Sequence, residues 1–98
     1  MSHAYKITFA ASALTDLEEI RSWYIEQQVP DIGGKLIEEI ISKVEHLSSF
    51  PGSGRIVPEF GINNIREIIY SPFRIIYRFD KNRVRVVRIW RSERLLRM

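Results

Sequence analysis

The chain has 98 residues, 45% of them apolar, and a formal net charge of +3, which predicts one domain, residues 1–98, around one hydrophobic core. No run of about 18 apolar residues and no basic-then-apolar leader occurs, so we expect no membrane contact and no export. Cysteine is absent, which excludes disulfides and thiolate chemistry and makes the cytoplasm the expected location.

The first half of the chain predicts a strand and then two helices. Residues 5–9 alternate between apolar and polar side chains, as a half-buried strand does. Ser12 has the character of a helix N-cap, and the spacing that follows predicts an amphipathic helix over residues 13–28. Its buried stripe is expected to be Ala13, Leu17, Ile20 and Tyr24.

Pro30 suits the start of a second helix, because its ring fixes φ and it has no backbone N–H to leave unpaired. That helix is predicted over residues 31–49, and the short connection makes the two helices an antiparallel hairpin. The pair Gly33-Gly34 weakens a helix. A close approach to the first helix would explain why glycine occurs here. The expected buried stripe is Ile32, Leu36, Ile40, Val44 and Leu47.

The second half predicts a loop and three strands. Gly, Pro and Ser mark residues 48–55 as a loop. Strands are predicted at 65–70, 73–79 and 83–90, and the short turns between them require antiparallel neighbours. The fold class is therefore α+β, with the order β-α-α-β-β-β. We expect the helical hairpin to pack on one face of a mainly antiparallel four-stranded sheet and to leave the other face open.

Charge is distributed unequally along the chain. Residues 1–50 carry four basic and eight acidic side chains, a net charge of −4, whereas residues 51–98 carry eleven basic and four acidic ones, a net charge of +7. The predicted strands therefore carry most of the positive charge. Such a field attracts a polyanion or an acidic protein partner.

Alternation places Arg74 and Arg78 on the open face, because the opposite set, Phe73, Ile75, Tyr77 and Phe79, is more apolar. In the last strand, neither set is cleanly polar, and its core face stays unassigned: one set is Arg85, Val87, Ile89 and Arg91, and the other is Val84, Val86, Arg88 and Trp90. Arginine can bind phosphate through two parallel hydrogen bonds. The open face is therefore the expected functional surface.

Other chemistry has few candidates in the sequence. Tyr70, Tyr77 and Trp90 could stack on nucleic-acid bases or simply pack in the core or at its rim. Neither cysteine nor a His-rich spacing suggests a metal site, no cofactor is expected, and "GSGR" at 52–55 lacks the context of a phosphate-binding loop. Glu59, among arginines, would be a general base or a partner in an ion pair.

The segments "LSSFPGSGRIVPEF", "IREIIYSPFRIIYRF" and "VRVVRIWRSERLL", in this order of elements, resemble the RelE/ParE toxins of type II toxin–antitoxin modules. The resemblance covers almost the whole chain. It implies a bacterial growth inhibitor held silent by a cognate antitoxin, which covers the sheet and helices of the toxin. An acidic, apolar antitoxin segment would suit the charge distribution found here.

The resemblance implies one of two targets. RelE-like members cut mRNA on the ribosome, and ParE-like members poison DNA gyrase. If this chain is a nuclease, it would be a metal-independent endoribonuclease. The catalytic residues expected in that case are Glu59 and Arg74, which fall at positions that nuclease members use, Arg66 as a weaker match, and Arg91, which would help to clamp the phosphate although relatives often carry histidine there. For binding phosphate or the target, the expected residues are Arg55, Arg74, Arg78, Arg85, Arg91 and Arg94.

Two departures from the nuclease pattern favour a gyrase inhibitor. Many relatives carry a histidine after the last strand, where this chain has Trp90-Arg91, and the loop before Arg55 lacks lysines. RNA cleavage needs a base and an acid, and arginine, always protonated, is a poor proton shuttle. Three hypotheses follow: a ParE-like gyrase inhibitor, a RelE-like ribosome-dependent endoribonuclease, or a toxin fold that has lost toxicity.

Overall fold

The computed structural model describes residues 4–91, which form two helices and a five-stranded sheet. The elements are β1 (Lys6–Phe9), α1 (Ala11–Glu26), α2 (Pro30–His46), β2 (Arg55–Ile56), β3 (Ile65–Tyr70), β4 (Phe73–Phe79) and β5 (Arg83–Arg91). The α+β class and the order of the predicted elements are confirmed. The predicted number of four strands is wrong, because the two-residue β2 is too short to show alternation in its sequence.

The strands lie in the order β1-β5-β4-β3-β2. β1 pairs with β5 in parallel, and the other three pairings are antiparallel. The sheet is thus mainly antiparallel, as predicted. Two residues connect β3 to β4 and three connect β4 to β5, and such short turns permit only antiparallel neighbours.

The helix boundaries differ from the predicted ones by up to three residues. Helix α1 begins at Ala11 and has Ala10 at its N-cap without a side-chain bond, so Ser12 is not the cap. Instead, the Ser12 hydroxyl donates to the carbonyl of Val87 at 2.7 Å and ties α1 to β5. Helix α2 begins at Pro30, one residue before the predicted start, and ends at His46. Neither helix in residues 4–91 is long and apolar enough to cross a membrane.

The two helices approach each other closely at Gly33. A Cβ atom at this position would lie 2.6 Å from the Cβ atom of Tyr24, whereas one at Gly34 would meet nothing within 4 Å. The expected close approach is therefore confirmed for the first glycine only. Gly33 takes the buried position at this level of α2, and its neighbour Ile32, expected in the core, is 52% exposed.

The core lies between the helical hairpin and one face of the sheet. From the helices and the C-cap of α2 it contains the predicted stripe positions Ala13, Ile20, Tyr24, Ile40, Val44 and Leu47. From the sheet it contains Phe73, Ile75 and Tyr77, as predicted, together with Val84, Val86 and Ile89. Burial of these side chains removes apolar surface from water, which supplies the main stabilisation of such a domain.

A β-bulge explains why the core face of the last strand could not be assigned from alternation. Tyr77 pairs with Val86 but Ile76 pairs with Arg88, so Val87 is an extra residue in β5. The insertion reverses which side chains point to each face beyond it. Val86 before the bulge and Ile89 after it, which strict alternation would place on opposite faces, are therefore both in the core.

Candidate functional site

The outer face of the sheet, turned away from the helices, carries Glu67 on β3 and Arg74, Ile76 and Arg78 on β4. Glu67 lies directly opposite Ile76, and directly paired residues project to the same side of a sheet. The alternate set on β4 lies in the core. The predicted orientation of Arg74 and Arg78 is therefore confirmed.

The centre of the outer face is buried. Glu67 is 1% exposed, Ile76 3% and Arg74 7%, so the expectation of an open face is wrong there. Neighbouring long side chains bind one another across the sheet instead of extending into water. Only Arg78, at the end of β4, is exposed on this strand.

Glu67 is at the centre of an ion-pair network on this face. Its carboxylate accepts a hydrogen bond from Arg74 Nε and another from Arg55 Nε, the latter at 2.5 Å. The side chain of Glu67 is fully buried, whereas that of Arg55 is 62% exposed. A buried carboxylate needs such partners, because desolvation disfavours an unpaired charge.

Glu59 completes the network from the loop before β3. Its two carboxylate oxygens accept hydrogen bonds from Arg74 Nη1 and Nη2, at 3.1 and 3.0 Å. These hydrogen bonds lower the pKa of Glu59 and raise that of Arg74. The structure thus joins Glu59 and Arg74, but a carboxylate with a lowered pKa is a weak general base at neutral pH.

Arg66 lies on the helix side of the sheet, opposite Tyr77. Its guanidinium donates to the carbonyls of Gly52, Gly54 and Asn63 at 2.7–2.9 Å and to Asn63 Oδ1 at 2.9 Å. These bonds hold the loop before β2 and the turn before β3 together. Arg66 therefore lies on the other side of the sheet from the Glu59–Arg74 pair.

Tyr77 anchors the same loop from within the core. Its hydroxyl donates to the carbonyl of Pro51 at 2.6 Å and accepts from the backbone N–H of Gly54 at 3.0 Å. A Cβ atom at Gly54 would lie 2.7 Å from this hydroxyl, so the "GSGR" segment needs glycine for close packing. Burial raises the pKa of Tyr77 and excludes its ring from stacking on a base.

Arg91 also points to the helix side, because it lies beyond the bulge and opposite Phe73. Its guanidinium is 5.1 Å from the ring centre of Trp23 and 5.8 Å from that of Phe73, within the range of a cation–π contact. The four expected catalytic residues are therefore not assembled at one place. Two lie on the outer face and two on the helix side.

A second buried acid, Asp16 of α1, binds the part of β5 that follows its pairing with β1. Its carboxylate accepts from Arg88 Nε and Nη2 at 2.8 and 3.0 Å and from the backbone N–H of Ile89 at 2.8 Å. The bonds to Asp16 raise the pKa of Arg88, whose guanidinium lies 4.7 Å from the ring centre of Trp90. A cavity of about 190 Å³ adjoins this cluster.

Sequence reasoning missed Glu67 and Asp16 as site residues, although a signal existed for each. Glu67 interrupts an apolar strand on the side that also carries Arg74. Asp16 falls between Ala13 and Ile20 at helical spacing, within the stripe that should be buried. An acid at a core position indicates a buried partner for its charge.

The remaining predicted binding residues differ in their surroundings. Arg78 and Arg85 lie directly opposite each other on adjacent strands and form no ion pair with residues 4–91. Arg94 lies outside the described residues. Within residues 4–91, no three His, Cys, Asp or Glu side chains are grouped as a metal site requires.

Comparison with known proteins identifies the family of the chain. Residues 7–96 match the family described as ParE toxin of type II toxin–antitoxin system, parDE. The chain therefore belongs to the ParE toxin family and is a type II toxin–antitoxin toxin, which confirms the resemblance to the RelE/ParE superfamily. A search of curated proteins finds no match to the chain.

Two solved structures support the fold. A chain of the chromosomal ParDE toxin–antitoxin system from P. aeruginosa superposes with a TM-score of 0.76 and is 23% identical; the match covers 92% of this chain and 98% of that one. A chain of the RelBE2 toxin–antitoxin complex from Mycobacterium tuberculosis gives a TM-score of 0.61 and 20% identity, covering 90% of this chain and 98% of that one. These neighbours share the arrangement of helices and sheet.

Proposed function

From membership in the ParE toxin family, we propose that this chain inhibits DNA gyrase in the cytoplasm and is neutralised by a cognate antitoxin. The observation that carries the choice of target is the Glu59–Arg74–Glu67 network. Arg74 uses its Nε and both Nη groups on two carboxylates. A phosphate would have to displace one of them, and breaking a buried ion pair is costly.

The acid–base requirements of RNA cleavage also favour this choice. The reaction needs one group to remove the 2′-hydroxyl proton and another to protonate the leaving oxygen. Glu59 is held as a stable anion by Arg74, and Arg66 and Arg91 lie on the other side of the sheet. These positions do not supply a base and an acid around one phosphate.

The proposed antitoxin would cover the apolar side chains of the helical hairpin. Leu14, Trp23, Ile25 and Ile32 are each 45–52% exposed on α1 and α2. Apolar side chains at this exposure favour a partner that removes them from water. The structural neighbours come from the ParDE and RelBE2 toxin–antitoxin systems, which supports an antitoxin as that partner.

The experiment compares the two targets with the same full-length protein, made by cell-free synthesis. Supercoiling of relaxed plasmid by gyrase is measured beside cleavage of mRNA on translating ribosomes. We expect inhibition of supercoiling with accumulation of cleaved plasmid, and intact transcripts. The variant Glu59→Gln keeps an acceptor for Arg74 and should inhibit gyrase as well as the wild type does.

The opposite results have distinct meanings. Cut transcripts with normal supercoiling, and a loss of cleavage of about 10²–10⁴-fold in Glu59→Gln, would identify an endoribonuclease with Glu59 as base. The direct contact between Glu59 and Arg74 is the observation that favours this second candidate. Neither activity, from folded protein, would indicate a toxin fold that has lost toxicity.

A further inference from the structure

One group of basic side chains on the outer face has no acidic partner in residues 4–91. Lys6 is in register with Arg83, and Arg85 lies directly opposite Arg78. We name these four residues the basic patch. None of them forms an ion pair with a described residue.

The four side chains project from the same side of the sheet. On β5, the neighbours of Arg83 and Arg85 along the chain, Val84 and Val86, lie in the core, so the two arginines point outward. Lys6 follows Arg83 by register, and Arg78 follows Arg85. Lys6, Arg78 and Arg83 are exposed, and Arg85 is half-buried.

The spacing concentrates four positive charges on three adjacent strands. Strands lie about 4.8 Å apart, and residues two apart on a strand are separated by about 6.7 Å. The patch therefore measures roughly 10 by 7 Å at the level of the backbone. Like charges directly opposite each other destabilise a sheet, and a bound anion would relieve that repulsion.

Three arginines elsewhere on the sheet have acidic partners, which the basic patch lacks. Arg55 and Arg74 share Glu67, and Arg88 binds Asp16. The nearest acid along the chain to the patch is Asp80, in the turn between β4 and β5, and its backbone N–H bonds to the carbonyl of Arg83. No carboxylate of the described residues is hydrogen-bonded to the patch.

We propose that the basic patch, Lys6, Arg78, Arg83 and Arg85, binds the phosphate backbone of a nucleic acid without regard to sequence. This goes beyond gyrase inhibition, because it assigns the toxin a nucleic-acid contact of its own. A phosphate backbone carries evenly spaced single negative charges and is bound by Lys and Arg through charge alone. Arginine adds bidentate hydrogen bonds to the phosphate oxygens.

An acidic protein segment fits the patch less well. Protein interfaces bind through buried aromatic or aliphatic anchors at their centre. Neither β1, β4 nor β5 carries an exposed large apolar residue. Exposed residues of that kind lie on the helices, in the loop before β2, on β2, in the loop before β3 and near the end of β3: Leu14, Trp23, Ile25, Ile32, Phe50, Ile56, Phe60, Ile62 and Ile69.

The test measures binding by fluorescence anisotropy, with the full-length protein and a labelled 20-base-pair DNA duplex in 50–200 mM salt. If all four cations contact phosphates, the slope of log K against log salt should be about −3.6. The double variant Arg78→Ala/Arg85→Ala should halve the slope to about −1.8. A labelled 20-nucleotide RNA, run in parallel, shows which nucleic acid is preferred.

The matched control is Arg21→Ala/Lys35→Ala, which also removes two positive charges, but from exposed positions on the helices. Its slope should equal that of the wild type. Circular dichroism checks the fold of each variant. If the Arg78/Arg85 double variant unfolds, the single variant Arg83→Ala should still reduce the slope by about 0.9.

Three outcomes would overturn the proposal. The wild type could fail to bind either nucleic acid at 50 mM salt. The control could weaken binding as much as the Arg78/Arg85 variant, which would make the effect one of net charge. Finally, a polyglutamate peptide could displace the labelled duplex more effectively than unlabelled duplex does, when the two competitors are compared at equal concentrations of negative charge. That last result would assign the patch to an acidic protein.

Discussion

Removing the charge of Glu67 should destabilise the protein more than removing the charge of its exposed partner Arg55. The carboxylate is fully buried and binds Arg74, whose side chain is only 8% exposed, and Arg55. Breaking a buried pair by removing one partner costs about 3–5 kcal/mol, because the other charge stays desolvated. In Glu67→Gln, Arg74 keeps its two hydrogen bonds to Glu59. We therefore expect the loss of unfolding free energy to lie near the lower end of this range, at about 3 kcal/mol.

The assay is urea unfolding, followed by circular dichroism and by the fluorescence of the two tryptophans. The midpoint should fall while the m-value stays constant, because the surface exposed on unfolding does not change. In a thermal scan, 3 kcal/mol corresponds to a decrease in Tm of about 12–24 °C for a domain of this size. Glu39→Gln, an exposed change of the same chemistry on α2, should stay within about 0.5 kcal/mol of the wild type.

A compensating variant separates charge burial from loss of packing. Glu67→Met/Arg74→Met replaces the pair by apolar side chains, a kind of exchange that is often neutral or stabilising. Glu59 and Arg55 remain partly solvated, at 39% and 62% exposure. We expect the double variant to recover most of the loss. A value for Glu67→Gln within about 0.5 kcal/mol of the wild type would refute the reasoning.

Two further predictions concern the helical hairpin and the titration of the site. Gly33→Ala should lower the free energy of unfolding because its Cβ would lie 2.6 Å from that of Tyr24, whereas Gly34→Ala should raise it by up to about 1 kcal/mol; urea midpoints that fall equally would contradict this. In a ¹³C NMR titration, the hydrogen bonds from Arg74 should hold the pKa of the Glu59 carboxyl below the ordinary value for glutamate. Its small stabilising contribution is complete above the unfolded pKa and is lost as pH falls through the lower folded pKa; a pKa of Glu59 at or above the ordinary value for glutamate would count against the Arg74 contact.

Periodicity was sufficient to predict the order of elements, the helical hairpin and the core face of β4. The alternation from Phe73 to Phe79 places its apolar set on one side in both sequence and structure. It was insufficient for β5, because the extra residue Val87 shifts the register within the strand. A bulge depends on pairing with a neighbouring strand, which the sequence of one strand does not encode.

The state of the outer face was harder to predict for a different reason. Alternation predicts the side of the sheet on which Arg74 lies. The exposure of Arg74 depends on whether neighbouring strands and loops place carboxylates against its guanidinium. Glu67 is on the adjacent strand and Glu59 on a loop, and only folding brings them to one guanidinium. The sequence could predict the direction of a side chain, whereas its pairing depends on register and loop geometry.

The bulge at Val87 divides the most basic strand of the protein into two parts with different roles. Before it, Arg83 and Arg85 point outward in the basic patch, without a carboxylate partner in residues 4–91. After it, Arg88 binds Asp16, and Arg91 turns to the helix side and lies over aromatic rings. If Val87 were instead an ordinary member of the alternation, Arg91 would lie on the face of Arg83 and Arg85. The bulge thus separates positive charge available to a ligand from positive charge that holds α1 against the sheet.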